Sequence, residues 1–258
     1  MAHWISTLLI FLLAPVWSIA APMHLVWSNS SSELVNQRRV SRLPFGAVID
    51  RCTVPGTVAL TFDDGPFIYT PAILDILRAN GARVTFFLNG HGLGKIYENA
   101  DVVRRAINEG HQLGSHTWGH PYLTTLDYPT IVAQMTQLET AFRDILGFFP
   151  TYMRAPYLMV NGLVLSIMAE MGYHVIGASI DTKDYENDNP GLIWRSFEKF
   201  KSELNAGGNI VLAHDVHEQT VRTLVQNMLS EIYGRGMRVV PVGECLDDPP
   251  AEWYRGSR

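Results

Sequence analysis

Little in this sequence is basic, sulfur-bearing or repetitive, and each shortage removes a class of protein. Its 258 residues hold 20 Lys and Arg against 25 Asp and Glu, a net charge of -5, with no basic run. A surface that tracks a phosphate backbone needs clustered cations, so nucleic acid is excluded as a partner. Only two cysteines occur, Cys52 and Cys245, too few for a disulfide-rich scaffold or an appended module of that kind. No internal repeat, low-complexity tract or linker after residue 50 suggests a solenoid or a second folded domain. No G-x-S-x-G turn is present, which removes the common serine-hydrolase elbow.

What is present is apolar: 47% of residues are hydrophobic, enough for a sizeable core. The opening "MAHWISTLLIFLLAPVWSIAAPM" reads as a signal peptide over 1–20, cleaved after Ala20, although its leading segment carries His3 and no Lys or Arg. Its apolar run is shorter than the roughly 20 residues that span a bilayer, and Pro15 interrupts it, so no stable membrane insertion is expected once it is removed. Secretion suits a Cys52–Cys245 disulfide, because an oxidising compartment lets a lone pair close. Such a bond ties the ends of the domain together, and the chain-entropy model gives ~5 kcal/mol for so long a loop. Asn29 begins a glycosylation sequon in the polar stretch that follows. Residues 21–50 read as a leader or wrapping arm, 51–246 as the domain and 247–258 as a tail.

From Val58 the chain alternates. Strands are expected at 58–62, 83–89, 111–115, 151–154, 173–180, 209–213 and 237–240, with helices between them. Thr70-Pro71 reads as an N-cap and first-turn proline for the first helix. Seven strands with intervening helices make an α/β protein, expected here as a distorted (β/α) barrel in a single domain. The conspicuous polar residues then fall at strand C-terminal ends: Asp63 and Asp64, His116, Arg154, Asp181 and His214. In such a barrel those ends share one face, the one where active sites form.

Two adjacent carboxylates in "TFDDGP" repel unless a cation or a proton separates their states. Two histidines four apart in "HTWGHP", His116 and His120, complete with one carboxylate a two-histidine, one-carboxylate zinc set with a position left open. The second carboxylate is free to take a proton from water. Arg154 in "RAPY" is placed to hold that base ionised, and His214, leaving an apolar strand, reads as a general acid. His91 and His217 read as solvated loop residues, while Trp118 is open between stacking on a sugar ring and bracing the metal turn.

"TFDDGP", "HTWGHP", "RAPY", "DTKDY" and "LAHD" in this order resemble the polysaccharide deacetylase family of carbohydrate esterases, the NodB-type homology domain, and most closely its chitin deacetylase branch. The resemblance covers about residues 52–245. It implies Asp63 as base and Asp64, His116 and His120 as ligands of a divalent metal, zinc or else cobalt. It implies Arg154 orienting Asp63, the Tyr157 N–H in an oxyanion hole, and His214 protonating the leaving amine. Asp184 is implied as the partner of His214, with Asp181 near enough in sequence to leave the two unseparated. Tyr185 stands where many members have Trp, on the wall of the sugar groove, and Leu212 is expected near the acetyl methyl. The implied reaction removes N-acetyl groups from chitin or chito-oligosaccharides, by a secreted or wall-associated monomer. Peptidoglycan or O-acetylated xylan as substrate, and a non-catalytic wall-binding protein, are the competing readings.

Overall fold

The computed structural model describes Met1 and residues 43–257, and every element below lies in one compact unit, Arg39–Arg258. The expected signal peptide, 1–20, and the sequon at Asn29 lie outside the described residues. In chain order the first half runs β1 (Val48–Ile49), β2 (Thr57–Asp63), α1 (Thr70–Ala79), β3 (Thr85–Leu88), α2 (Ala100–Asn108), β4 (Gln112–Ser115), α3 (Tyr128–Leu146), β5 (Phe149–Pro150) and β6 (Tyr152–Met153). The second half runs α4 (Gly162–Glu170), β7 (His174–Ile176), β8 (Ile180–Asp181), α5 (Trp194–Asn205), β9 (Ile210–His214), α6 (Val225–Gly234), β10 (Arg238–Val239), α7 (Val242–Cys245) and β11 (Tyr254–Arg255).

Nine strands form one parallel sheet in the order β1-β7-β6-β4-β3-β2-β9-β8, with β10 also on β2. The stretch 173–180, expected as one strand, is two. Its first part, β7, pairs with β6 near one end of the sheet, and its second, β8, pairs with β9 at the other end. Three residues, 177–179, therefore carry the chain between the two ends of a curled sheet, which is the distortion of this barrel. The alternation that reads as a continuous strand is real; what fails is the ladder, since no single neighbour can serve both halves.

Alternation along β2 divides the core. Val58, Leu60 and Phe62 join a cluster with Leu74, Phe142, Phe200 and Leu229 of the surrounding helices. Ala59 instead joins Phe87, Tyr152, Ile176 and Ile210 inside the barrel. Such period-two burial on both faces is what a parallel strand between two apolar layers requires. In α3 Asp127 Oδ1 accepts from Thr130 N (3.1 Å) and Gly147 ends the helix at φ 85°. In α1 the expectation fails, because Tyr69 is the N-cap residue and Thr70 is already helical. The Thr70 hydroxyl instead accepts from Phe67 N (2.8 Å) and donates to Asp215.

Residues at both margins join this unit. Val48–Ile49 pair in parallel with β7, and within 247–257 β11 pairs antiparallel with β5 while Trp253 is buried. Cys52 and Cys245 are disulfide-bonded across a separation of 193 residues. Thr53 N and Val54 N both donate to Cys245 O, so backbone bonds accompany the covalent tie.

Candidate active site

β2 ends on Asp63, and Asp64 turns the chain with φ 75°. β4 delivers His116, after which Thr117 (φ 70°) and His120 (φ 55°) fold the chain into a tight turn instead of a helix. That turn returns His120 to His116, with ring centroids 4.9 Å apart. Asn89 Nδ2 donates to both His116 O and Thr117 O, and Gln134 Oε1 accepts from Gly119 N at 2.8 Å. Trp118 braces the same turn: a Cβ on Gly90 would stand 2.0 Å from its ring, so only glycine lets the indole seat there.

Asp64 Oδ1 lies 3.5 Å from His116 Nε2 and 3.3 Å from His120 Nε2. A tetrahedral zinc with bonds near 2.0–2.1 Å holds its ligand atoms ~3.3 Å apart. Asp64 Oδ1 is buried with no hydrogen-bond partner, which is costly for a carboxylate oxygen unless a cation supplies one. His116 Nδ1 donates to Arg154 O (2.8 Å), which fixes the tautomer and leaves Nε2 as a lone pair. Burial pulls His116 down to about 3, so the ring stays neutral, the form that binds a metal. The three side chains thus fit a divalent cation in spacing, with His116 held in the form that binds it.

Asp63 is buried beside this triad, its Oδ1 accepting from Arg154 Nη1 at 2.9 Å. Arg154 is itself fully buried inside the barrel. Its other donors reach Thr61 Oγ1, Ile176 O (3.2 Å) and Gly177 O (2.8 Å), and Phe87 lies 4.5 Å beneath the guanidinium. Those two carbonyls mark where the ladder breaks, Ile176 ending β7 and Gly177 following it, so one planar fork bonds the chain there and anchors the carboxylate opposite. Burial raises the pKa of Asp63, with Arg154 and His214 opposing it. The carboxylate is therefore a stronger proton acceptor than one at the surface.

Asp63 and His214 are register partners on the adjacent strands β2 and β9, so their side chains leave the same face side by side. His214 Nδ1 bonds Asp184 Oδ1 (2.7 Å), while Asp184 Oδ2 accepts from His214 N (2.7 Å) and Thr220 Oγ1 (2.8 Å). Burial lowers the imidazole, but the carboxylates of Asp184 first, then Asp63 and Asp64, together outweigh it and raise His214 to about 9. Asp181, the other candidate partner, is engaged elsewhere: Lys183 N and the Tyr185 hydroxyl donate to it.

A cavity of about 440 Å³ gathers Asp63, Asp64, His116, His120, Tyr157, Tyr185, Leu212 and His214. Arg154 and Asp184 lie behind its wall, fully buried. Tyr157 (φ 58°) and Leu158 (φ 56°) are consecutive left-handed residues, strain that persists only where surroundings hold it. The Tyr185 ring stands edge-on to His214, centroids 5.4 Å apart. His217 lines the cavity, and its Nδ1 lies 3.4 Å from Asp188 Oδ2. His91 lies outside that lining and is exposed, as a solvated loop histidine should be.

Several supporting residues escape a reading of the sequence. Thr61 and Thr220 are ordinary strand and helix residues by type, and nothing local distinguishes their hydroxyls. Asp215 lies inside the "LAHD" motif, and its type alone gives it no role there. It is fully buried, bonded to Thr70 through one oxygen and unpartnered at the other, and burial raises it to about 7.

Residues 50–176 match a family model described as polysaccharide deacetylase. A chitin deacetylase of Pestalotiopsis sp is 53% identical over 221 residues, 86% of this chain and 74% of that protein. The chitin deacetylase of Colletotrichum lindemuthianum is 46% identical over 93% of this chain and 98% of its own length. A solved structure of the chitin deacetylase from that fungus has a TM-score of 0.81 at 48% identity, covering 84% of this chain and 98% of the other. The peptidoglycan-N-acetylglucosamine deacetylase of Listeria monocytogenes is 36% identical over 74% of this chain, which spans 39% of that protein.

Proposed function

The chain belongs to the polysaccharide deacetylase family, and from that premise we propose that it removes N-acetyl groups from N-acetylglucosamine units of chitin or chito-oligosaccharides, releasing acetate. The observation that carries the reading is the pairing of Asp63 with His214 across β2 and β9, beside Asp64, His116 and His120. A proton acceptor and a proton donor thereby flank one point at which a cation fits.

In this reading Asp64, His116 and His120 hold a divalent ion, zinc by its preference for two histidines and a carboxylate, with cobalt as the alternative. When bound, that ion supplies Lewis acidity, easing deprotonation of water and polarising the amide carbonyl. Asp63 takes the proton from the attacking water, and Arg154 keeps its carboxylate aimed through the 2.9 Å bond. The Tyr157 N–H donates to the oxygen on which negative charge develops. His214, protonated below about 9 and held by Asp184, gives its proton to the departing amine. Leu212 and Tyr185 form the walls around the acetyl methyl and the sugar.

The chain acts outside the cell or at its wall in this reading, which the Cys52–Cys245 bond supports, as the oxidising compartments favour such bonds. The experiment is acetate release from N-acetylglucosamine oligomers by the mature protein, with and without a chelator, beside Asp63→Asn. Activity abolished by either change is expected, and activity indifferent to both overturns the mechanism. Acetate release from peptidoglycan with none from chitin would reassign the substrate.

A further inference from the structure

The rim of the cavity carries more aromatic surface than the chemistry uses. Starting from the metal triad, His120 and Tyr157 have ring centroids 4.6 Å apart at 64°, and Tyr157 and Tyr122 lie 3.8 Å apart at 10°. Tyr157 lines the cavity and Tyr122 stands next to it, outside. Tyr157 is 50% exposed and Tyr122 47%, with Leu158 and Met159 exposed beside them. Tyr122 is absent from each of the three hydrophobic clusters among the described residues, so core packing does not account for it. Near-parallel, nearly eclipsed rings are also a poorer arrangement for the two tyrosines than an offset or edge-on one. Tyr157 thus contacts both His120 and Tyr122, and Tyr122, half exposed and outside the cavity lining, is the outer end of the series.

A pyranose ring presents C–H groups on its faces and keeps its hydroxyls at the edge, so it can cover an aromatic face while staying hydrated. Tyr122, Tyr157, Leu158 and Met159 include no charged side chain, which suits a neutral acetamido sugar over an ammonium-bearing, already deacetylated one. A linear polymer with one unit in the cavity must also leave over the rim. We propose that Tyr122 forms a platform for the sugar ring adjacent to the one being deacetylated. This deepens the deacetylase reading and rests on it.

The test compares kcat/KM of the zinc-loaded wild-type protein, Tyr122→Ala and Tyr122→Phe on N-acetylglucosamine oligomers from two to five units. Tyr122→Ala should lose about two- to tenfold on the longest oligomer, the range of one aromatic contact, with a loss that shrinks as the oligomer shortens. Tyr122→Phe should retain the wild-type values, because the ring face carries the contact. Thermal unfolding of the three proteins, measured alongside, should coincide. No loss at any length, or the same loss at every length, overturns the platform; the latter would mean that Tyr122 acts through Tyr157 and His120. Failure of the wild-type protein on every oligomer would instead overturn the deacetylase reading beneath it.

Discussion

The two ends of the barrel interior use burial for opposite purposes. At the end where the strands begin, α7 lies across the opening and Val240, Val242, Leu246 and Trp253 fill it together with Ala59, Phe87 and Tyr152. A Cβ on Gly243 would stand 2.1 Å from Trp253 Nε1, so the seal closes directly on backbone. Tyr152 donates to Asp248 (2.6 Å), and burial raises the pKa of Tyr152 and Tyr254, which keeps both neutral. At the opposite end burial encloses the polar groups of the proposed site: Asp63, His116, Arg154 and Asp184. One end excludes water to hold the chain; the other excludes it to set pKa values and ligand geometry. The comparison predicts that damage to the first costs stability and damage to the second costs chemistry.

The largest separation should come from Asp64→Asn. Activity should fall at least ~10³-fold, as expected when a metal ligand and the proton transfer it assists are lost. Unfolding in chelator should stay close to wild type, since Asp64 Oδ1 has no hydrogen bond to lose. Added zinc should then raise the unfolding temperature of the wild type and leave the variant unmoved, because only a ligand of the folded state stabilises it. The converse is Cys52→Ala with Cys245→Ala, which should cost up to ~5 kcal/mol in denaturant titrations while kcat of the folded fraction stays within about twofold of wild type. A fall in kcat as large as the loss of stability would join the two ends into one unit. Arg154 sharpens the contrast by touching both functions. Arg154→Met leaves Asp63 buried without its counter-charge and the carbonyls of Ile176 and Gly177 without their donor. Stability should drop by about 3–5 kcal/mol, together with activity. Loss of activity at unchanged stability would place Arg154 with the chemistry alone.

Legibility from sequence divides along the same line. The catalytic end could be read because its residues violate the local pattern. Asp63 and Asp64 after an apolar run, and His214 closing "IVLAH", gain nothing from a strand and so signal chemistry. The sealing end obeys the pattern, and therefore hides. Trp253 and the Tyr254–Arg255 strand look like a polar, Pro-flanked terminus until tertiary packing is known. The split of 173–180 was equally invisible, since β7 and β8 have the composition of one strand and only the closure of the sheet separates them. Thr70 shows the intermediate case. Its position before Pro71 predicts a cap, yet Thr70 is already helical: its oxygen accepts from Phe67 N and its O–H goes to a buried carboxylate 145 residues away.

The smallest effect is a displacement along the pH axis, and it separates the two ends because His214 stands at only one of them. His214 moves from 6.5 to about 9 on folding, so the folded protein binds the extra proton between those values. Stability from this group is complete below 6.5 and is lost as pH rises through about 9, a span of about 3 kcal/mol at most. Asp215 obeys the same sign in an earlier window, its contribution fading from 3.8 to about 7. His214 therefore contributes to the slope above pH 7, and the alkaline limb of kcat should fall as the acid loses its proton. Asp184→Asn removes the charge that holds the imidazole up. The alkaline limb should then move down by about one to two pH units, and the stability slope above pH 7 should flatten. The double cysteine variant, lowered in stability at every pH, should keep both the limb and the slope of the wild type. A limb that stays in place in Asp184→Asn would mean that another group sets it, and His214 would lose its assignment as the acid.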